Sequence, residues 1–466
     1  MKLSQPLRRA AALAVLPVVL AACSITRPPA QVQASVPAGW QAPLPHGGSV
    51  QQLGQWWQGR LDDPLLAALI ADAQALSPDV AQAASQLAQA HAQQVAARSG
   101  LLPQLDGQAS ASRGFNQQVG GLASTAQAGL QTGWEIDLFG GNAAQWDAAR
   151  QRTEGAQAQW HEARVSVAAE VAQQYTGWHY CMRQLSVAEA DARSRGETAR
   201  LSQESERAGF TAPATAALAT ASHADALARA AQQRLQCEIG VKTLVALTGR
   251  DEPALRQQLA AAPALQPPVE LFAIDSLPAQ LLAQRPDIYA AEREVAAASA
   301  EVGAAEADRY PRLQLTGSIG RGWVKTGGAS VTSNTWSIGP LALSVPIFDA
   351  GRRAAQVDAA QARYEAAASR YRAAARGAVA EVEQALARLA STAERSGAAR
   401  RAAEGYRQSF QATQARWSAG LASLVELEDA RRTQLASETA LVALEQERMA
   451  AWIALYRAAG GGWRRS

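Results

Sequence analysis

The fold is decided by one run of residues in the first third of the chain: Leu130-Gln131-Thr132-Gly133-Trp134-Glu135-Ile136-Asp137-Leu138. Larger, mostly apolar side chains alternate there with glycine and polar side chains, and this period of two predicts a β-strand with one apolar and one polar face. Residues 313–320 repeat the alternation. Such strands suit a sheet between lipid and a water-filled lumen, and equally a half-buried sheet of a soluble domain. Near Gly339-Pro340 the alternation changes phase, which predicts a β-bulge.

The chain contains a tandem duplication. Four landmarks recur in register at offsets of 208 to 211 residues. They are Pro78-Asp79 with Pro286-Asp287, Pro103 with Pro311, Phe139 with Phe348, and Ala208-Gly209 with Ala419-Gly420. Each copy therefore has one predicted layout, which is a helix, a β-hairpin, a long helix, a glycine-containing turn and a returning helix.

The predicted hairpins are too few to close a barrel within one chain. Two hairpins supply four strands, whereas small closed barrels need about eight. A membrane barrel made of these strands would have to be shared between two or three chains. The long helix that follows the first hairpin, from about Asn142 to Glu206, would reach on the order of 100 Å at 1.5 Å per residue.

The duplication and its prolines set the predicted domain boundaries. A signal peptide covers 1–22 and a lipidated extended segment covers 23–62. The first repeat covers 63–262, with a hairpin at about 104–139 and a helical tip near 207–212. A proline-rich linker at 263–278 leads to the second repeat at 279–457, with a hairpin at about 312–348 and a tip near 418–422. The remaining residues, 458–466, form a glycine-rich tail.

The beginning of the chain reads as an export signal. Lys2, Arg8 and Arg9 precede thirteen apolar residues at 10–22, which are too few to span a bilayer as a helix. The run ends at Cys23 in a sequence that resembles the bacterial lipobox, and this resemblance implies a lipid on that cysteine and delivery to the outer membrane. The alternative is an ordinary signal peptide followed by an incidental cysteine.

Composition and motifs argue against several other functions. The net charge of +3 is small and the basic residues are scattered, so nucleic acid is not an expected partner. His161-Glu162 lacks the second histidine of a zinc-protease helix, and no His or Cys group has metal-binding spacing. We therefore expect no enzyme activity, no metal and no cofactor other than the covalent lipid on Cys23.

The combination of these features resembles the outer-membrane factor family, which is the TolC-like family, in its OprM- or NodT-type lipoprotein branch. The resemblance rests on the lipobox, the duplicated prolines, the turn at Phe348-Asp349-Ala350-Gly351 and the ending at 455–463. It implies an α+β membrane protein, a homotrimer whose twelve-stranded outer-membrane barrel continues as a long periplasmic α-helical barrel. It also implies an exit duct for an efflux system with a periplasmic adaptor and an inner-membrane pump, of the RND type. The adaptor would contact the tips at Ala208-Gly209 and Ala419-Gly420.

The same resemblance implies a gate at the periplasmic end of the duct. The predicted return helix of the second copy starts at Gly420 and contains Asp429-Ala430-Arg431-Arg432, similar to a family segment with an Asp-Ala-Gln-Arg core. By this match Asp429 faces the lumen, Arg432 shares its helix face and Val425 lies one turn nearer the tip. Arg431 replaces the glutamine of the family, so the local charge differs. The alternative is a solvated helix face with ordinary i,i+3 ion pairs.

Two cysteines are placed symmetrically about the first tip. Cys181 lies twenty-eight residues before Gly209 and Cys237 lies twenty-eight residues after it. On antiparallel helices that turn at Gly209 they would be level with each other, and the periplasm is oxidising. We therefore expect a disulfide, the alternative being two buried thiols.

An alternative from another class of protein is a lipid-anchored periplasmic adaptor or structural protein with similar coiled-coil helices. Its β-segments would form a soluble domain. Aromatic residues bound the hairpins here (Phe115, Trp134, Trp323 and Trp336), and aromatic girdles mark the membrane interfaces of barrels, so they favour the channel.

Overall fold

The computed structural model describes residues 27–34, 63–117, 120–263, 265 and 282–463. Within these ranges the first copy contains α1 (Pro64–Leu76), α2 (Pro78–Ser99), β1 (Gln104–Asn116), β2 (Gly121–Ile136), α3 (Gly141–Arg207), α4 (Pro213–Thr248) and α5 (Glu252–Ala261). The second copy contains α6 (Pro286–Ala307), β3 (Arg312–Thr326), β4 (Ala329–Ser344), α7 (Arg352–Ser418) and α8 (Leu424–Ala458), followed by a 3-10 turn at Gly460–Gly462.

The elements repeat as the sequence does. Helices α2 and α6 each have 22 residues, and the long helices α3 and α7 each have 67. The returning helices α4 and α8 have 36 and 35 residues. The strands of the first hairpin lie within the predicted range 104–139, and those of the second lie within 312–348.

One compact unit consists of the described residues 27–34, 85–117, 120–158 and 289–373, and it holds the sheet. All neighbouring strands are antiparallel, in the order β1-β2-β3-β4. The register pairs the alternating residues of the two copies directly, Leu130 with Ile319 and Trp134 with Leu315. The predicted bulge is confirmed: between the pair of Leu315 with Leu341 and the pair of Gly317 with Ile338, β3 has one residue (Thr316) and β4 has two (Gly339-Pro340).

The helical part of this unit has a core of small side chains. Val295, Ala298 and Val302 of α6 pack on Ala360 and Ala367 of α7. The extended residues 27–34 lie against these helices, where the hydroxyl of Ser299 donates to the carbonyl of Pro28 and that of Tyr364 donates to the carbonyl of Pro29.

The second unit consists of the described residues 63–84, 159–263, 282–288 and 374–463. Its core is larger and includes Leu66, Leu69, Tyr175, Leu244, Trp452 and Leu455, all at most 1% exposed. Asp63 caps α1 by accepting from the amides of Leu65 and Leu66, and it also accepts from the hydroxyl of Tyr175. Part of the predicted glycine-rich tail packs within this unit. Gly461 lies so close to Val165 that a Cβ on it would be 2.5 Å from that side chain, and its φ is 62°.

Candidate channel face and inner gate

One face of the sheet is polar, and its three charged side chains lie at the end that joins the helices (Asp106, Glu135 and Arg312). Its side chains hydrogen-bond across strands, with Gln108 donating to Gln131 at 2.6 Å and Ser318 bonded to Ser337 at 2.9 Å. Glycines bring the strands close on this face, where a Cβ at Gly129 would lie 2.7 Å from the carbonyl oxygen of Ile319. A face made of hydroxyls, amides and backbone suits contact with water.

The opposite face is apolar, and none of the described residues covers it. Leu130, Ile319 and Trp336 form one row across three strands, and the last two are 62% and 76% exposed. Ile338 and Leu343 continue the band at 84% and 62% exposure. Large aliphatic side chains this exposed mark a surface that contacts another chain or lipid.

Both helical tips end in the same glycine motif. At the first tip the amide of Phe210 donates to Ser205 and that of Gly209 donates to Glu206, both at 2.8 Å. This is a Schellman turn, and Gly209 has the positive φ it requires, 78°. The second tip repeats it at Gly420, with φ of 75°. Each predicted tip pair, Ala208-Gly209 and Ala419-Gly420, therefore lies at a helix end.

Sequence reasoning missed the residue that follows each tip glycine. Phe210 is 87% exposed and Leu421 is 70% exposed. The signal was available, since both copies place a large apolar residue directly after Ala-Gly, in a turn where polar residues are usual.

The residues predicted to form the gate lie on the exposed side of α8. This helix begins at Leu424 and not at Gly420, because Ser423 caps it and forms a capping box with Glu426. Val425 is 66% exposed. Asp429 and Arg432 form an i,i+3 ion pair whose side chains are 63% and 78% exposed. An exposed pair is what both the gate and the solvated-face interpretations predict.

Arg431, which replaces the glutamine of the family segment, lies on the buried side of α8, opposite Asp429 and Arg432. It is 2% exposed and donates to Glu428, to Ser194 and to Thr198, and its guanidinium lies 5.3 Å from the ring centre of Phe410. Its charge therefore does not add to the exposed pair. Burial lowers the pKa of Arg431, and the adjacent carboxylate of Glu428 opposes that shift.

Glu428 is the centre of a buried ionic network that sequence reasoning also missed. It accepts from Arg431, from Arg195 and, at 2.7 Å, from the hydroxyl of Ser222. Arg195 is held in turn by Asp191 at 3.0 Å. The network joins α8 to α3 and α4, so the buried side of α8, opposite the exposed pair of Asp429 and Arg432, is held by ionic contacts.

The two symmetrically spaced cysteines are joined in the structure. Cys181 of α3 and Cys237 of α4 form a disulfide, with Cα atoms 5.5 Å apart. The bond closes the first helical hairpin at one level, away from its tip. Cys237 is 3% exposed, so its sulfur lies in the interior.

The predicted lipid site at Cys23 has no counterpart in the described part of the chain. Cys23 and the signal peptide lie outside the described residues. Among the residues that are described, no group of three or more His, Cys, Asp or Glu side chains could hold a metal ion. In the same ranges no helix is both long and apolar enough to cross a membrane.

Comparison with known proteins identifies the family. Residues 69–250 and 277–461, one segment in each copy, match the family described as outer membrane efflux protein. The chain belongs to this family. Outer membrane protein OprJ of Pseudomonas aeruginosa is 30% identical over 351 residues, which are 73% of this chain and 71% of OprJ.

Solved structures of efflux channels share the fold. The outer-membrane channel OprN superposes with a TM-score of 0.83 at 29% identity, covering 94% of this chain and 98% of OprN. The open state of the MtrE outer membrane channel of Neisseria gonorrhoeae superposes with a TM-score of 0.79 at 26% identity, covering 94% and 98%. The predicted fold class is confirmed, since the chain has the fold of the trimeric outer-membrane efflux channels.

The function predicted from the resemblance is confirmed as well. The chain is an outer-membrane channel of an efflux system, with its helices in the periplasm, and the adaptor alternative is set aside. The relatives are efflux channels, and such channels are not enzymes.

Proposed function

We propose that three copies of this chain form a passive exit duct that receives its substrates from a periplasmic adaptor and an RND-type inner-membrane pump. The polar face of the sheet would line the duct in the membrane. The periplasmic end of the duct would be able to close. The observation that supports this is the exposed pair of Asp429 and Arg432 on α8, beside the turn at Gly420. The adaptor would bind the tips at Ala208-Gly209 and Ala419-Gly420, where Phe210 and Leu421 offer exposed apolar surface.

Symmetry gives the gate its physical basis. A threefold axis repeats Val425, Asp429 and Arg432 as rings of three, and rings of carboxylates select cations at a pore. The first copy places Leu218 and Ala221 at the matching distances from its tip, so the second copy alone supplies charge there. MtrE, a structural relative, is described in an open state, which supports a duct that opens and closes.

Replacing Asp429 by alanine is expected to raise single-channel conductance and to weaken cation preference in planar bilayers, because the ring of carboxylates is lost. Arg432→Ala should also alter conductance, since it frees the carboxylate of Asp429. Asp225→Ala is the matched control, because Asp225 is an exposed aspartate of α4 in an i,i+4 pair with Arg229. If Asp429→Ala and Arg432→Ala both conduct like the wild type, the gate assignment is wrong and the duct remains.

The mature chain is expected to begin at Cys23 and to carry a lipid on that residue, because the lipobox resemblance ends there. Intact-mass measurement of the purified protein should show the mass of residues 23–466 plus covalent acyl groups. Cys23→Ala should lose the lipid and keep the barrel in the membrane, since closed strands hold a protein there without an anchor. An unmodified N-terminus at another residue would contradict the assignment.

A further inference from the structure

The apolar face of the sheet carries three cations near the hairpin turns. The alternation places Arg113 of β1 and both Arg321 and Lys325 of β3 on the face of Leu130 and Ile319. All three side chains are exposed. Arg113 and Lys325 lie on either side of Ser124 of β2, so they are two strand spacings apart, about 10 Å. Arg321 is four residues along β3 from Lys325, about 13 Å.

Among the described residues, no acidic side chain balances these cations. In the described residues of the four strands, the apolar face has no carboxylate. Asp106 and Glu135 lie on the polar face, at the end of the sheet that joins the helices. In the same part of the chain, Arg113, Arg321 and Lys325 form no ion pair within 4.0 Å. The inference rests on the proposed duct, in which this face of the sheet meets lipid, and cations without an ion-pair partner on such a face call for an anionic partner.

Their position in the membrane is set by the sheet. The helices are periplasmic, so the strand ends at the hairpin turns, near Gly120 and Gly327, point to the exterior. Trp323 stands between Arg321 and Lys325 on the same face, as an aromatic residue of the outer interface does. Arg113 and Lys325 therefore lie at the level of the outer leaflet's headgroups, and Arg321 lies four residues deeper along β3, beside Trp323.

Beside the cations the surface is shallow and apolar. An open groove of about 650 Å³ runs along Arg321 and Trp323 and is floored by small side chains, Ala109, Ala111, Ala126 and Ala128. Below it the aliphatic band continues towards the helices through Leu130 and Ile319. Cations above a groove that leads into an apolar band match a molecule with phosphates at one end and acyl chains at the other.

We propose that Arg113, Arg321 and Lys325, the cationic patch, bind the phosphates of a phosphorylated glycolipid of the outer leaflet, with its acyl chains along the alanine groove. Guanidinium groups bind phosphate through paired hydrogen bonds, and the spacings of about 10 Å and about 13 Å from Lys325 to Arg113 and to Arg321 suit two phosphates on one headgroup better than one. The site is separate from the gate, so the inference stands or falls independently of the roles of Asp429 and Arg432.

The test uses the purified trimer in detergent and the bisphosphorylated lipid A disaccharide, with binding measured by native mass spectrometry. The combined variant Arg113→Gln, Arg321→Gln and Lys325→Gln should bind on the order of 100-fold more weakly, since each cation at a phosphorylated surface contributes about fivefold. The same lipid without phosphates should bind both proteins equally. Arg312→Gln, on the polar face, should bind like the wild type.

Three results would overturn the inference. The first is equal binding of the bisphosphorylated lipid by the wild type and the combined variant. The second is binding of the phosphate-free lipid by the wild type that is as strong as its binding of the bisphosphorylated lipid. Competition by inorganic phosphate at equal molarity would indicate a soluble-anion site and would also contradict a lipid site. If the combined variant fails to assemble, judged by heat-modifiable migration, the three single variants should each show the loss of about fivefold.

Discussion

Glu428→Gln is expected to destabilise the periplasmic part of the trimer by about 3 kcal/mol, because it leaves a buried guanidinium without its carboxylate. Arg431 is 2% exposed and would keep the hydroxyls of Ser194 and Thr198 and the ring of Phe410, none of which carries a negative charge. Arg195 would lose one of its two carboxylates and retain Asp191. The larger part of the loss therefore arises at Arg431.

The unfolding rate in denaturant, followed by circular dichroism, is the appropriate measurement, because a large membrane trimer does not unfold reversibly. The neighbouring residue supplies a matched control. Asp429 also pairs with an arginine three residues on, but its side chain is 63% exposed. Exposed pairs contribute about 0–1 kcal/mol, so Asp429→Asn should change the rate little. A Glu428→Gln effect no larger than that of Asp429→Asn would show that the network is not a stabilising feature.

A second variant separates charge from packing. Replacing Glu428 by leucine together with Arg431 by methionine removes both charges of the pair and fills much of their space with apolar side chains. Buried pairs replaced in this way are often neutral in stability, so much of the loss should be recovered. Recovery would show that the effect of Glu428→Gln comes from the uncompensated charge of Arg431.

The fold could be predicted from the sequence because the patterns that indicate it are local and occur in both copies. The alternation from Leu130 to Leu138 appears again from Leu313, and the register brings those residues into direct pairs. Both tips are specified by a glycine in a conformation that other residues rarely adopt, Gly209 and Gly420. A pattern that is local in the chain and present in both copies can be read without knowing the tertiary structure.

The buried network could not be read in the same way. Its members come from three helices, and Arg195 and Glu428 are 233 residues apart. Alone, Glu428 and Arg431 look like an ordinary surface pair at i,i+3 spacing. The sequence contains the charges, but only tertiary packing shows that Arg431 is buried and that its neighbour Asp429 is not.

Loss of the bond between Cys181 and Cys237 is expected to destabilise the first helical hairpin by about 4 kcal/mol, the chain-entropy value for a loop of this size. The two residues are 56 apart in the sequence, and their Cα separation of 5.5 Å is ordinary for a disulfide. The double variant Cys181→Ala and Cys237→Ala should therefore unfold faster in denaturant than the wild type without reductant.

Reductant distinguishes the bond from the packing of the sulfur atoms. It should accelerate unfolding of the wild type and leave the double variant unchanged, because the variant has no bond to break. Labelling of denatured, non-reduced protein with a thiol reagent gives the direct count. Neither Cys181 nor Cys237 should react before reduction, and both should react after it. Two reactive thiols in the non-reduced protein would refute the bridge and leave Cys237 as a small buried apolar side chain.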